Sequence, residues 1–357
     1  MYGPAEIAKR YSNAGAAKAK LPVPKMFVLA IFAGMFIAFG AYGSQVVGIN
    51  GGTEPAAKLM GALIFPVGLL MVIMAGAELF TGNSLIIISV LDKKATIGGM
   101  FKNWAIVYLG NFVGSIFVAA MLTYSHAYSL FGGTLAESVV NTARNKVMLT
   151  LPDAFLKAIL CNILVCIAVW ISFSAEDVAG KILGLYLPIV LFVASGYEHS
   201  IANMYFIPAG ILASGEYGIA VEGLTWSAFF LNNLLPVTIG NVIGGVCVVG
   251  LGYFFAYLFG KEEPKPAAAA PATTQLAEVE KKQPVVNLTA PNQDVFRVDI
   301  LPENTASLSE FSPFAPQTRE NPISTIEVVL NGATVRVPNN ADPALLAQTI
   351  RLIRNLP

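Results

Sequence analysis

Residues 196-GYEHSIAN-203 lie inside an apolar run, yet they carry a glutamate, a histidine and an asparagine to a depth where such groups are costly. Residues 76-GAELFTGN-83, 120 positions earlier, share the pattern G-x-E-x-x-x-x-N. Each string interrupts an apolar stretch that is long for one crossing, 59–91 and 182–213. About 32 residues of straight helix would run about 48 Å, against about 30 Å of hydrocarbon. Such a run must tilt, fold back or break, and glycine beside polar residues in mid-run favours a break. Irregular backbone at membrane depth survives only where it is buried in protein or lines a cavity. The two strings therefore nominate a pathway.

Two further pairs extend the likeness. Residues 110-GNFVG-114 and 240-GNVIG-244 share G-N-x-x-G, and 27-FVLAI-31 and 155-FLKAI-159 share F-x-x-A-I. The three matches come in the same order, so the apolar part divides into two halves. The first holds segments 26–48, 59–91 and 103–124, and the second holds 154–173, 182–213 and 227–259. Three crossings per half send the second half into the membrane upside down. The expected fold is an all-α membrane protein of six transmembrane helices, arranged as two inverted three-helix repeats with helices 2 and 5 broken. Loop lysines and arginines number 11 on the side of both termini and 3 on the other, which places both termini in the cytoplasm of a cell whose inner membrane the chain spans.

Composition agrees with this class. The chain is 55% hydrophobic and 12% charged, with mean hydropathy +0.65, too apolar for a soluble protein of this length. Its net charge is zero, which gives no electrostatic reason to expect nucleic acid. Cys161, Cys166 and Cys247 all fall in apolar segments, so they form neither a disulfide framework nor a metal motif, and no metal or cofactor is expected. The first apolar run is a full span and not a short signal core. Of the 44 charged residues, 20 lie in the last 98 positions, which marks a boundary near Gly260. The expected domains are a cytoplasmic segment 1–25, a channel domain 26–260, a disordered Pro/Ala-rich linker 261–322 and a small ββα tail 323–357. The tail rests on the alternation of 325-TIEVVLNGATVRVP-338 around Asn331-Gly332 and on Asp342-Pro343 as a helix start.

The strings AELFTGN, KNW, YLGNFVG, LCNILVCIAVW, SGYEHSIANM and NNLLPVTIGN resemble the formate/nitrite transporter family from about residue 5 to 260. The resemblance implies a homopentamer in the lipid bilayer, each protomer aquaporin-like with its own pore and with small monovalent weak-acid anions as cargo. Formate is the first choice, since SGYEHSIANMYFIPAGI looks most like the formate members. Nitrite, hydrosulfide, acetate and lactate are the alternatives. Carried over by motif, His199 is the central pore histidine, Glu198 its neighbour and Thr81 the loop threonine. Lys146 is the vestibule lysine, Asn162 stands behind that lysine and Asn233 beside the pore. Phe65, Leu69, Leu79 and Phe192 are the constrictions above and below the histidine. No catalytic residue is implied, and the chain is not expected to be an enzyme.

The residues also carry a reading of their own. An anion entering hydrocarbon meets an idealised Born cost on the order of 20 kcal/mol. Protonating a carboxylate of pKa about 3.5 at pH 7 costs only about 5 kcal/mol. A pore that favours the neutral acid, or offers donors to the anion, escapes most of the Born cost. His199 is the side chain of this core whose reference pKa lies near neutrality, and it reads as a mostly neutral donor that passes a proton to the bound anion. Other readings stay open on the residues alone. The glutamates serve as caps of broken backbone or as substrate contacts, Thr81 as a helix cap or a pore group, and Lys146 as a solvated loop lysine or an anion trap. Asn111 and Asn241, within G-N-x-x-G, read as helix packing. Three rival functions are a neutral-solute channel, a membrane enzyme using Glu198 with His199, and a membrane anchor that presents the tail. Asn83-Ser84-Leu85 and Asn203-Met204-Tyr205 depart from the paired Asn-Pro-Ala strings of the first, and no nucleophile accompanies the second.

Overall fold

Capping residues set most helix starts. Pro4 opens α1 (Pro4–Lys20), where a missing amide N–H removes no hydrogen bond. After α2 (Val23–Val47), Pro55 opens α3 (Pro55–Ala75) in the same way. The chain then forms α4 (Phe80–Leu91), α5 (Ile97–Tyr124), α6 (Thr134–Val147), α7 (Leu151–Ser172), α8 (Val178–Ala194), α9 (Ser200–Glu216) and α10 (Trp226–Tyr257). Thr96, Thr150, Asp177 and Thr225 cap α5, α7, α8 and α10, each accepting a backbone N–H at 2.7–3.2 Å. This computed structural model describes residues 1–49 and 54–260, and the backbone of strands β1 (Thr325–Leu330) and β2 (Ala333–Pro338).

Among the described residues, α2, α3, α5, α7 and α10 are long and apolar enough to cross a membrane. The second and fifth segments of the sequence are not single rods. Segment 59–91 is divided between α3 and α4, and segment 182–213 between α8 and α9. Both first rods are followed by glycine in the left-handed region, Gly76 at φ +80° and Gly196 at φ +67°. Glycine reaches that region without the Cβ clash that other residues meet. Both chains then run extended, through Leu79 (φ −108°, ψ 122°) and His199 (φ −112°, ψ 116°), before helix resumes.

The two G-N-x-x-G strings set the main helix crossings. A Cβ on Gly114 of α5 would collide with the Ile31 carbonyl of α2, and one on Gly244 of α10 with the Ile159 carbonyl of α7. Absent side chains let these backbones touch. Two elements were not expected as helices. α1 buries Ile7, Ala8 and Tyr11, and α6 buries Leu135, Val139, Val140 and Val147. Both are half polar, so a hydropathy reading passes over them.

The chain divides into two compact units, Met1–Ala270 and Pro271–Pro357. In the second, β1 and β2 pair antiparallel from Thr325 opposite Pro338 to Leu330 opposite Ala333. The Asn331-Gly332 turn, the helix expected from Asp342-Pro343 and the linker 261–322 lie outside the described residues.

Candidate functional site

The two breaks are held by the same set of hydrogen bonds, made twice. At the first, the Phe80 N–H donates to Asn111 Oδ1 at 2.9 Å, and Asn111 Nδ2 donates to the carbonyls of Glu78 (2.9 Å) and Ala30 (2.7 Å). At the second, the Ser200 N–H donates to Asn241 Oδ1 at 2.8 Å, and Asn241 Nδ2 donates to the carbonyls of Glu198 (2.9 Å) and Ala158 (2.8 Å). These asparagines therefore do more than fill a helix crossing. Each satisfies backbone groups that a break leaves without helical partners, which is costly away from water.

The carboxylates repeat as well. Glu78 accepts from Asn83 Nδ2 at 2.7 Å and pairs with the Lys18 ammonium at 2.7 Å. Glu198 accepts from Asn203 Nδ2 at 2.7 Å and pairs with the Lys146 ammonium at 2.8 Å. Asn103 joins Asn83 to the Lys18 carbonyl, and Asn233 joins Asn203 to the Lys146 carbonyl. Lys18 and Asn103 were missed in the sequence although they are counterparts of Lys146 and Asn233. Lys146 is not a free vestibule charge, since its side chain is 17% exposed and bound to a nearly buried carboxylate. Asn162 makes no hydrogen bond to Lys146 among the described residues. Its Nδ2 donates to the carbonyls of Thr81 (3.3 Å) and Asn241 (2.6 Å), so it braces the first break against α10. Asn233 occupies the place behind the lysine instead.

Between the two breaks, His199 Nε2 lies 2.9 Å from Thr81 Oγ1. The other ring nitrogen, Nδ1, accepts from the Ala202 N–H at 3.0 Å and so caps α9. A nitrogen that accepts carries no proton. The neutral ring thus holds its proton on Nε2 and donates it to Thr81, which leaves the threonine O–H to donate in turn. A second proton would have to displace Ala202 from Nδ1. The arrangement suits a hydrogen-bond donor better than the proton-passing group expected from the sequence.

Three phenyl rings continue from the imidazole. Phe192 stacks on His199 with centroids 5.9 Å apart, Phe65 meets Phe192 edge-on at 5.4 Å, and Phe206 lies against Phe65 at 6.4 Å. The Lys146 ammonium sits 5.3 Å above Phe206. Leu69 and Leu79 are also buried, and they line a different space, a cavity of about 450 Å³ bordered by Arg10, Lys18, Lys181 and Glu78. The four expected constriction residues thus separate into two pairs, Phe65 with Phe192 and Leu69 with Leu79. Of its three cations Arg10 is paired with Glu6 and Lys18 with Glu78, which leaves Lys181 to favour an anion there.

A family model described as formate/nitrite transporter matches residues 5–255. The chain belongs to the formate/nitrite transporter family. This family member is 40% identical over 274 residues to a probable formate transporter of Methanothermobacter thermautotrophicus, covering 71% of this chain and 97% of the relative. It is 42% identical over 270 residues to the formate channel FocA of Escherichia coli (strain K12), covering 71% and 94%. A solved structure described as a pentameric formate channel with formate bound superposes with TM-score 0.59 at 35% identity, covering 66% of this chain and 98% of that one. Formate/nitrite transporters are channels and transporters, not enzymes, and this family member is a multi-pass membrane transporter. The match ends at residue 255, so the strand pair at 325–338 lies beyond it.

Proposed function

We propose that residues 26–260 conduct formate across the cell's inner membrane through a pore centred on His199. The protomer has six spans in two inverted repeats, resembles an aquaporin in outline, keeps both termini in the cytoplasm and assembles as a homopentamer. Residues 261–322 serve as a linker and 323–357 as a ββα appendage. The observation that carries the reading is the Thr81–His199 contact at 2.9 Å, where two broken rods meet in the core. Support also comes from relatives named as formate channels and from a pentameric neighbour described with formate bound.

The chemistry runs from the charges inward. At one end the Lys146 ammonium, although paired with Glu198, offers a contact to an arriving anion, and at the other Lys181 beside the paired Lys18 and Arg10 raises the local anion concentration. Phe65 with Phe192, and Leu69 with Leu79, strip water and reject hydrated ions. Between them the Nε2–H donates to Thr81 Oγ1, and the Thr81 hydroxyl is the donor left to meet the substrate. Because Nδ1 is occupied by Ala202, the proton that neutralises formate travels with it from the vestibule and is not drawn from the ring. Glu198 and Asn233 hold Lys146 in place and do not face the substrate.

Uptake of formate, nitrite and hydrosulfide into liposomes tests this. Formate influx should exceed the other two, and at fixed total formate it should rise by up to about tenfold per unit fall in external pH, following the neutral fraction. His199→Phe should reduce formate influx strongly. Unchanged influx in that variant would remove the imidazole from the mechanism, and pH-independent influx would point to passage of the bare anion.

A further inference from the structure

We propose that Phe206 determines which acids pass the outer constriction, by fixing the plane of Phe65. The inference rests on the transport reading above and adds a selectivity residue to it. Phe206 lies seven positions beyond His199, and seven residues of helix make close to two turns. It therefore rises on the same side of α9 as the imidazole. It is half-buried, in contrast to the buried Phe65 and Phe192.

Its contacts lie on both sides. One is the Phe65 ring, at 6.4 Å between centroids and only 20° from parallel. The other is the Lys146 ammonium, 5.3 Å from the Phe206 centroid and within the range of cation–π attraction. An anion that leaves Lys146 for His199 meets Phe206 before Phe65. Phe65 is held from its other neighbour by Phe192, edge-on at 86°. The near-parallel ring of Phe206 and the perpendicular ring of Phe192 bound the space into which Phe65 can turn. With Phe206 in place, the gap beside Phe65 is bounded on that side. Without it, Phe65 gains a free side and the gap can open to a larger acid.

Formate and acetate differ by a methyl group where formate has hydrogen, so they report on that width. One methylene in an apolar site commonly changes discrimination by about tenfold or more.

The experiment compares formate and acetate influx into liposomes for the wild type, Phe206→Leu, Phe206→Met and Phe206→Tyr. Size-exclusion elution identical to the wild type establishes that each variant is assembled. Phe206→Leu should raise the acetate-to-formate influx ratio by about tenfold. Phe206→Met, which keeps bulk without a plane, should raise it in the same direction. Phe206→Tyr, which keeps the plane, should leave the ratio unchanged. If both Leu and Met variants are assembled, carry formate and keep the wild-type ratio, the assignment is wrong. A wild-type chain that moves no formate would instead overturn the transport reading, and this inference with it.

Discussion

Lys146 and Glu198 show how one contact serves stability and transport at once. The carboxylate is nearly buried and is bonded by the ammonium and by two asparagine amides. Lys146→Gln would leave that charge without a cation, a loss of about 3–5 kcal/mol for a buried pair broken on one side. The double variant Lys146→Gln, Glu198→Gln should recover most of the stability in thermal unfolding, because two neutral amides can bond each other. Formate influx should stay low in the double variant, since no ammonium remains there to contact the arriving anion. Recovery of influx together with stability would show that the lysine acts only as a structural partner. The sequence marked Lys146 but not its counterpart Lys18, for a plain reason. Glu78 and Glu198 are 120 positions apart, whereas Lys18 and Lys146 are 128 apart and Asn103 and Asn233 are 130 apart. Connections between helices have changed length independently, so no single offset superposes the two halves, and only the hydrogen bonds show these pairs as equivalent.

At the scale of elements, the breaks depend on glycine and asparagine acting together. Gly76 and Gly196 turn the chain back, and Asn111 and Asn241 collect the amide and carbonyl groups released there. Asn241→Ala removes one acceptor and one donor from three buried backbone groups, at about 1–3 kcal/mol for each group left unsatisfied. Asn111→Ala should cost a similar amount, because it loses the equivalent three partners. Thermal unfolding in detergent measures both, and a large inequality would show that one break is supported by contacts outside the repeated set. The breaks themselves were legible from segment length and from glycine beside glutamate. The helices α1 and α6 were not, because an amphipathic surface helix carries no excess of apolar residues to stand out. Phe206 had a signal, its spacing of seven from His199, but a phenylalanine in a membrane helix is ordinarily taken to face lipid.

Over the whole molecule, the strands belong to a different compact unit from the site and lie beyond the family match in sequence. The family match stops at residue 255, and the compact unit that holds the site ends at Ala270. Deleting residues 261–357 should leave formate influx per assembled protein unchanged. Loss of influx with assembly intact would give the appendage a part in conduction. The repeated scaffold has a further consequence at its centre. The two halves agree wherever they hold backbone, in asparagine, glutamate and lysine, and they disagree at the residues that meet in the core. By the 120-position offset, the sibling of His199 is Leu79, and the sibling of Thr81 is Ile201. A strictly duplicated chain would have confronted two imidazoles with two hydroxyls, or two leucines with two isoleucines, and either pairing lacks a single donor with apolar surroundings. The difference at these core positions is what gives the scaffold one chemically distinct point.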